Sequence, residues 1–409
     1  MRKISDFFFV LLALNITGCI PSQEMEKKMK KDQSFIADVQ FLQKHRRAIV
    51  LENSGGRAKV LVVPDFQGRV MTSTAEGAEG PSLGWINYEL IASGEIQKHI
   101  NAFGGEDRFW LGPEGGQFSI FFKKDDPFDL EHWQTPPQID SEPFFIVEQS
   151  MDRVLFKKEM ELKNYSNTVF KLKASREIAI LDKAAVEKNL GLKIDQAVKS
   201  VAFESVNSIE NIGKEQWTRE TGLLSIWILG MFKPSDETTV VLPLSPGTSE
   251  SGVNDNYFGK VPSDRLKVDN NAVFFKGDGQ FRSKIGVAPH AAKPVMGSYD
   301  AINGVLTIVQ FSFDDGAVDY VNSAWEMQDK PYAGDVTNSY NDGPPTPGAK
   351  ALGPFYELET SSAAKELLPG GILNHVHRTY HFIGTEEQLS EISSAILGLS
   401  VQAIKVALK

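Results

Sequence analysis

Between residues 48 and 382 the chain never sustains an apolar stripe at helical spacing. Short alternating runs follow one another instead, each closed by turn residues. A chain patterned this way folds into sheets. The run from Arg47 reads RAIVLENSGGRAKVLVVPDFQGRVMTSTAEG, two or three strands cut by Asn53-Ser54-Gly55-Gly56 and Asp65-Phe66-Gln67-Gly68. Further on, 153–162 and 168–181 flank the turn Asn164-Tyr165-Ser166-Asn167. The stretch 273–281 is expected to fold back at Lys276-Gly277-Asp278-Gly279, and 305–313 and 317–325 to pair across Asp314-Asp315-Gly316. The body is therefore all-β. Helix is expected at 34–44 and near the C-terminus, where Thr385-Glu386-Glu387-Gln388 forms a capping box ahead of Leu389, Ile392, Ile396 and Leu399.

A length of 409 residues would ordinarily divide into two or three domains. No linker-like composition break and no internal repeat interrupts the strands, so 34–409 reads as a single domain. Two longer stretches, 100–137 and 329–354, are dense in glycine, proline and aromatic residues. Their aromatic content argues against disorder, and they are expected to be ordered loops shaping a cleft.

The N-terminus has a different character. Arg2 and Lys3 precede the apolar run 7–14, which is too short to span a bilayer but suits a secretory signal. It closes on Ile16-Thr17-Gly18-Cys19, which is similar to a bacterial lipobox. Residues 1–19 are thus expected to be a lipoprotein signal peptide, Cys19 the lipidated residue and 20–33 a flexible tether. The product would be an exported bacterial lipoprotein held at a membrane through its N-terminal lipid anchor. Cys19 is the only cysteine, which excludes disulfides and cysteine metal sites. A net charge of −10 and the lack of a basic patch argue against nucleic acid as a partner.

Candidate chemistry concentrates in 355–382, FYELETSSAAKELLPGGILNHVHRTYHF. Strand alternation puts Glu357 and Glu359 on one face, and His375, His377 and His381 on one face of the next strand. Three histidines on a strand read either as a polar outer face or as the replacement for a missing acid, with His377 the catalytic candidate and His375 a ligand contact. No third ligand type completes a metal set, and neither a metal nor a cofactor is expected. The loop run Glu106-Asp107-Arg108-Phe109-Trp110, with Glu114 just after, unites carboxylates, a guanidinium and an aromatic face. That combination suits sugar hydroxyls and C–H faces. Asn256 and Tyr257, Trp325, and Asn338, Tyr340 and Asp342 complete the candidate ligand contacts. The glycine pairs 104–105 and 115–116 are not phosphate loops, since no helix with Lys and Ser or Thr follows them.

Several of these runs carry a family likeness. Leu358-Glu359-Thr360, Leu368-Pro369-Gly370 and 378–382 resemble the C-terminal strand, turn and strand of the galactose-mutarotase-like group. Val63-Pro64 with Gly68-Arg69-Val70 resembles its early strand pair, and Asn211-Ile212-Gly213 its Asn-x-Gly. More narrowly, FGGEDRFWLGPEGGQF, VNDNYFGKVPSDRL, TNSYNDGPP and FYELETSS resemble an uncharacterised family of secreted bacterial proteins. The resemblance implies a β-supersandwich that binds a sugar in a concave cleft, with Glu359 at the place of the epimerases' general base. The histidine those enzymes keep after the Asn-x-Gly is absent from GLLSIWILG (222–230). The expected function is accordingly carbohydrate binding. A sugar epimerase or glycoside-cleaving enzyme using Glu359 is the alternative, and a surface scaffold a third reading.

Overall fold

The computed structural model describes residues 34–409 apart from 249, 270, 315 and 347. Cys19, the signal peptide and the tether lie outside the described residues. Three antiparallel sheets make up the body. A small one joins Ile49–Glu52, Lys59–Val63 and Arg69–Thr74. A ten-stranded sheet runs in the order Leu266–Val268, Ala272–Lys276, Thr238–Pro243, Val295–Asp300, Val305–Phe311, Ile372–Ile383, Lys199–Asn211, Val169–Ile180, Arg153–Lys163, Phe145–Gln149. The six-stranded sheet packed against it runs Val253–Asn254, Ser283–Val287, Thr337–Asn341, Tyr356–Ser361, Ser225–Phe232, Arg108–Gly112.

The burial pattern of each strand reflects its layer. Arg153–Lys163 and Val169–Ile180 alternate buried with exposed positions, as expected of a sheet with one solvated face. Ser225–Phe232 and Tyr356–Ser361 are buried at every position, because loops cover their outer face. The helix Glu386–Ile396 begins at Thr385 with the expected reciprocal capping box. Its Leu389 and Ile392 pack with Tyr380, Phe382 and Leu306 on the outside of the ten-stranded sheet. Each such fully buried aliphatic side chain contributes about 1.5–3 kcal/mol of transfer free energy. The helix Lys183–Leu190, which the sequence pattern had not marked, closes the same cluster through Val186 and Leu190.

Two expected hairpins do not form. Ala272–Lys276 and Ser283–Val287 belong to different sheets, so Gly277 to Gly279 carries the chain across the sandwich instead of folding it back. Residues 317–325 form no strand beside Val305–Phe311, whose partners are Val295–Asp300 and Ile372–Ile383. Both expected long loops contain strands as well, Arg108–Gly112 and Thr337–Asn341. Their side chains read as irregular only because cleft-facing charges and aromatics replace the apolar residues of an ordinary strand.

Polar groups form a layer between the two large sheets. Arg176, with no exposed surface, reaches Asp107 Oδ1 at 2.5 Å and Asn207 Oδ1 at 2.6 Å and donates through Nε to Gly68 O at 3.2 Å. Glu106 accepts from Ser73 at 2.9 Å and meets His381 Nε2 at 2.8 Å, while Thr307 Oγ1 lies 2.9 Å from the other ring nitrogen. Thr360 Oγ1 lies 2.8 Å from His375 Nε2 and 2.9 Å from His377 Nδ1.

Candidate functional site

The outer face of the six-stranded sheet is the floor of a cleft of about 460 Å³, within the usual range for small-ligand sites. Every second residue of its strands points there: Arg108 and Trp110, then Trp227, Leu229 and Met231, then Lys284, Tyr340 and Glu357. Antiparallel register sets them side by side. Trp110 lies opposite Trp227, Arg108 opposite Leu229, Met231 opposite Glu357, and Tyr340 between Glu357 and Lys284. The walls come from loops that contribute His99, Glu114, Trp133, Phe258 and Trp325, with Asp342, Lys350 and Phe355 from a further one.

Aromatic rings and paired charges share this floor. Trp110 and Trp227 meet edge to face at 5.5 Å, and Trp133 stacks on Trp325 at 5.6 Å. The Arg108 guanidinium lies 4.1 Å from the Trp110 ring centre and donates to Glu357 Oε1 at 3.1 Å. Lys284 lies 4.7 Å from the Trp227 ring and donates to Glu359 Oε2 at 2.9 Å, where the Trp227 indole donates as well at 3.0 Å.

Burial decides the protonation of several of these groups. It pushes Glu357 above the usual carboxylate range; Arg108 opposes that shift and the neighbouring Glu359 adds to it. Glu114 is raised for the same first reason, with Lys284 and a hydrogen bond to Trp325 pulling the other way. Burial alone would lower Lys284, but Glu359 and Glu114 outweigh it and hold the ammonium above its ordinary value.

The structure brings together Arg108, Trp110, Glu114, Trp325, Tyr340, Asp342 and Glu357 around the cleft. Glu359 lies just below the floor, without exposed surface, enclosed by Lys284 and Trp227. Asn338 and Tyr257 sit beside it in a separate small cavity, where Asn338 donates to the Tyr257 hydroxyl at 2.9 Å. Asn256 is exposed and lines neither cavity.

Glu106 and Asp107 are corrected from ligand contacts to members of the inner polar layer. Alternation sends Arg108 and Trp110 outward, so Asp107 faces the ten-stranded sheet. His375 and His377 belong to that layer too, on the inner face of their strand and not on a polar outer one. Burial lowers His375 to about 3 and His377 to about 4, so both are neutral at ordinary pH and neither reaches the cleft. Among the described residues no three His, Asp or Glu side chains gather as a metal set.

Several cleft residues were missed in the sequence: Arg282 and Lys284, His99, Trp133, Phe258 and Phe355. Arg282 and Lys284 were open to detection, since the run FRSKIGV puts them on one face by the period that singled out Glu357 and Glu359. The loop residues carry no such signal.

A profile for a family of unknown function, DUF6786, matches residues 33–408. The chain belongs to that family. No curated protein matches this DUF6786 chain. Among solved structures, the Slr1438 protein of Synechocystis sp. PCC 6803 is similar with a TM-score of 0.50 at 11% identity, covering 83% of this chain and 96% of its own. A candidate aldose 1-epimerase of Escherichia coli K12 is similar with a TM-score of 0.50 at 13% identity, covering 82% and 98%. A galactose mutarotase-like protein of Lactobacillus casei ATCC 334 shows 9% identity and a TM-score of 0.47, covering 82% and 100%. Such identities establish fold alone, and the fold of this chain is the galactose-mutarotase-like β-supersandwich with small C-terminal helices.

Proposed function

We propose that this protein binds carbohydrate in the cleft over the six-stranded sheet. The observation that carries the reading is the pairing of four tryptophans, Trp110, Trp133, Trp227 and Trp325, with Arg108, Glu357 and Glu114 in one concavity. Indole faces stack on sugar C–H groups, while charged groups exchange hydrogen bonds with hydroxyls. On a glycan array the purified protein is expected to bind a defined set of glycans, and Trp325→Ala to weaken that binding about fivefold or more, one stacked aromatic being worth about 1 kcal/mol or more. A folded protein that binds no glycan sinks the reading.

An enzymatic reading, epimerisation or glycoside cleavage with Glu359 as base, comes second. In its favour, Glu114 and Glu357 are carboxyls held toward their neutral form beside Glu359, the nearer of them, Glu357, hydrogen-bonded to it. Binding stands ahead because Lys284 and Trp227 close over Glu359. The concave, aromatic-lined cleft leaves the scaffold reading without a supporting observation.

The protein is further proposed to be an exported lipoprotein anchored through Cys19. The support is the sequence, Arg2-Lys3, the apolar run 7–14 and Ile16-Thr17-Gly18-Cys19. Fractionation of expressing cells is expected to find the protein in the membrane pellet and Cys19→Ser in the soluble fraction. Equal partition of the two removes the anchor.

A further inference from the structure

The cleft's hydrogen-bonding capacity is lopsided. Its carboxylates are already engaged. Asp342 accepts from the Tyr340 hydroxyl at 2.8 Å through Oδ1 and from the Gly353 amide at 2.8 Å through Oδ2. Glu357 accepts from Arg108, and Glu114 is bonded to Trp325. The donors are not engaged to the same degree. Arg108 Nε and Nη1, Trp110 Nε1 and Trp133 Nε1 are buried with no acceptor, on residues that are 2%, 3% and 7% exposed. Against these four stands one acceptor, Glu359 Oε1, below the floor, which only the Glu357 carboxyl faces.

Charge follows the same asymmetry. Five lining side chains are cationic, Lys98, Arg108, Arg282, Lys284 and Lys350, against the lining carboxylates Glu114, Asp342 and Glu357. Arg108 is paired with Glu357, Lys284 with Glu359 and Lys350 with Glu89, which leaves Lys98 and Arg282 among the described residues. Arg282 stacks 3.8 Å from the Phe258 ring centre and makes no ion pair among the described residues. This excess lies in a chain whose net charge is −10. A buried guanidinium edge without an acceptor is costly, so a site that keeps one is shaped for a ligand that supplies it. A neutral sugar offers donors and acceptors in equal number through its hydroxyls, whereas a carboxylate, sulfate or phosphate oxygen only accepts. An acceptor-rich ligand is the complement of this surface.

We propose that the saccharide bound in the cleft is anionic, a sugar bearing a carboxylate, sulfate or phosphate group, whose charged oxygens accept from Arg108 and Arg282. The proposal rests on the carbohydrate reading above and narrows it. Arg108, 4.1 Å from the Trp110 ring centre and tied to Glu357 by one nitrogen only, keeps its remaining N–H groups without an acceptor at the floor. Arg282 reaches from the side bearing Phe258, so that a ring stacked on indole would place its anionic substituent between the two guanidinium groups.

The test is a glycan array on which each neutral glycan stands beside its uronate, sulfated and phosphorylated counterparts, probed with the full chain and with Arg282→Gln. At least one acidic member is expected to bind about tenfold or more above its neutral parent, because charge-assisted hydrogen bonds are about twice as strong as neutral ones. The preference should shrink as salt rises from about 50 to about 500 mM, and Arg282→Gln should remove most of it. Which acidic series responds tells carboxylate from sulfate and phosphate. Neutral glycans bound as well as their acidic counterparts overturn this inference and leave the carbohydrate reading standing. Acidic binding that Arg282→Gln and salt both leave unchanged overturns the assigned contact. Absence of binding to every glycan removes both.

Discussion

Arg176→Met is expected to cost the folded state about 3–5 kcal/mol, the range found when one partner of a fully buried ion pair is removed. Arg176 is the only cation within reach of Asp107 among the described ion pairs, and both side chains are completely buried. Its loss strands the Asp107 carboxylate between the sheets, with Oδ2 already lacking a partner, and frees Asn207 Oδ1 and Gly68 O as well. Such a loss is a large part of the 5–15 kcal/mol that a typical fold commands. Urea unfolding of the variant should show it as a lower midpoint at unchanged slope. The double variant Arg176→Met/Asp107→Leu should recover part of the loss, since no buried charge is then left alone. A single variant within about 1 kcal/mol of the parent would mean that water or a relaxed backbone replaces the guanidinium.

Arg108→Met is expected to have the second largest effect, and one that depends on pH. Glu357 is raised above its unfolded value by burial even with Arg108 beside it. Removing the guanidinium pushes the carboxyl further up. A group raised on folding stabilises the fold fully below its unfolded pKa, and that contribution disappears as pH climbs through the folded value. Both chains keep Glu357 protonated well below pH 8, so the variant should lie near the parent at about pH 6 and fall behind only above about pH 8, where the parent's carboxyl ionises, by about 2 kcal/mol at about pH 9.5. Denaturant titrations at both pH values measure the gap, and Arg108→Met/Glu357→Gln should flatten it. An equal gap at both pH values would show that the lost stacking on Trp110, and not the charge on Glu357, dominates. Ligand binding should be lost at either pH, because Arg108 lies on the floor of the cleft.

Much of the architecture was legible because it follows from local periodicity. The alternation of 153–162 and 168–181 identified a strand pair to within two residues at each end, and the Thr385 capping box gave the start of the helix. Turns were less reliable. Gly277 and Gly279 allow a tight bend, but whether the chain returns to the same sheet or crosses to the facing one depends on contacts from far along the sequence. The run 317–325 carries β-forming residues and yet has no free edge to pair with, since both neighbours of Val305–Phe311 are taken.

For the cleft, alternation placed Glu357 and Glu359 on one face, whereas Arg108 and Trp110 were expected in a loop and belong to a strand, and tertiary structure made these one surface. Pairing across Ser225–Phe232 brings Arg108 and Glu359 into register with the same Leu229. Residue type alone misassigned Glu106 and Asp107, although Arg108, next in the sequence, does face the cleft. One residue of offset along a strand reverses the direction of a side chain, and here that step separates a buried structural ion pair from a ligand-facing guanidinium.

The sequence by itself determined an all-β body, its closing helix, and a charged and aromatic stretch suited to sugars, because each of these is written in residue spacing along a few turns or one strand. Only the tertiary structure decided which of those charges meet, that His375 and His377 are neutral and buried, and that Glu359 lies under Lys284 and Trp227. Those outcomes depend on which sheet covers which face, and that is set by packing between residues far apart in the chain, 75 positions for Lys284 with Glu359 and 249 for Arg108 with Glu357.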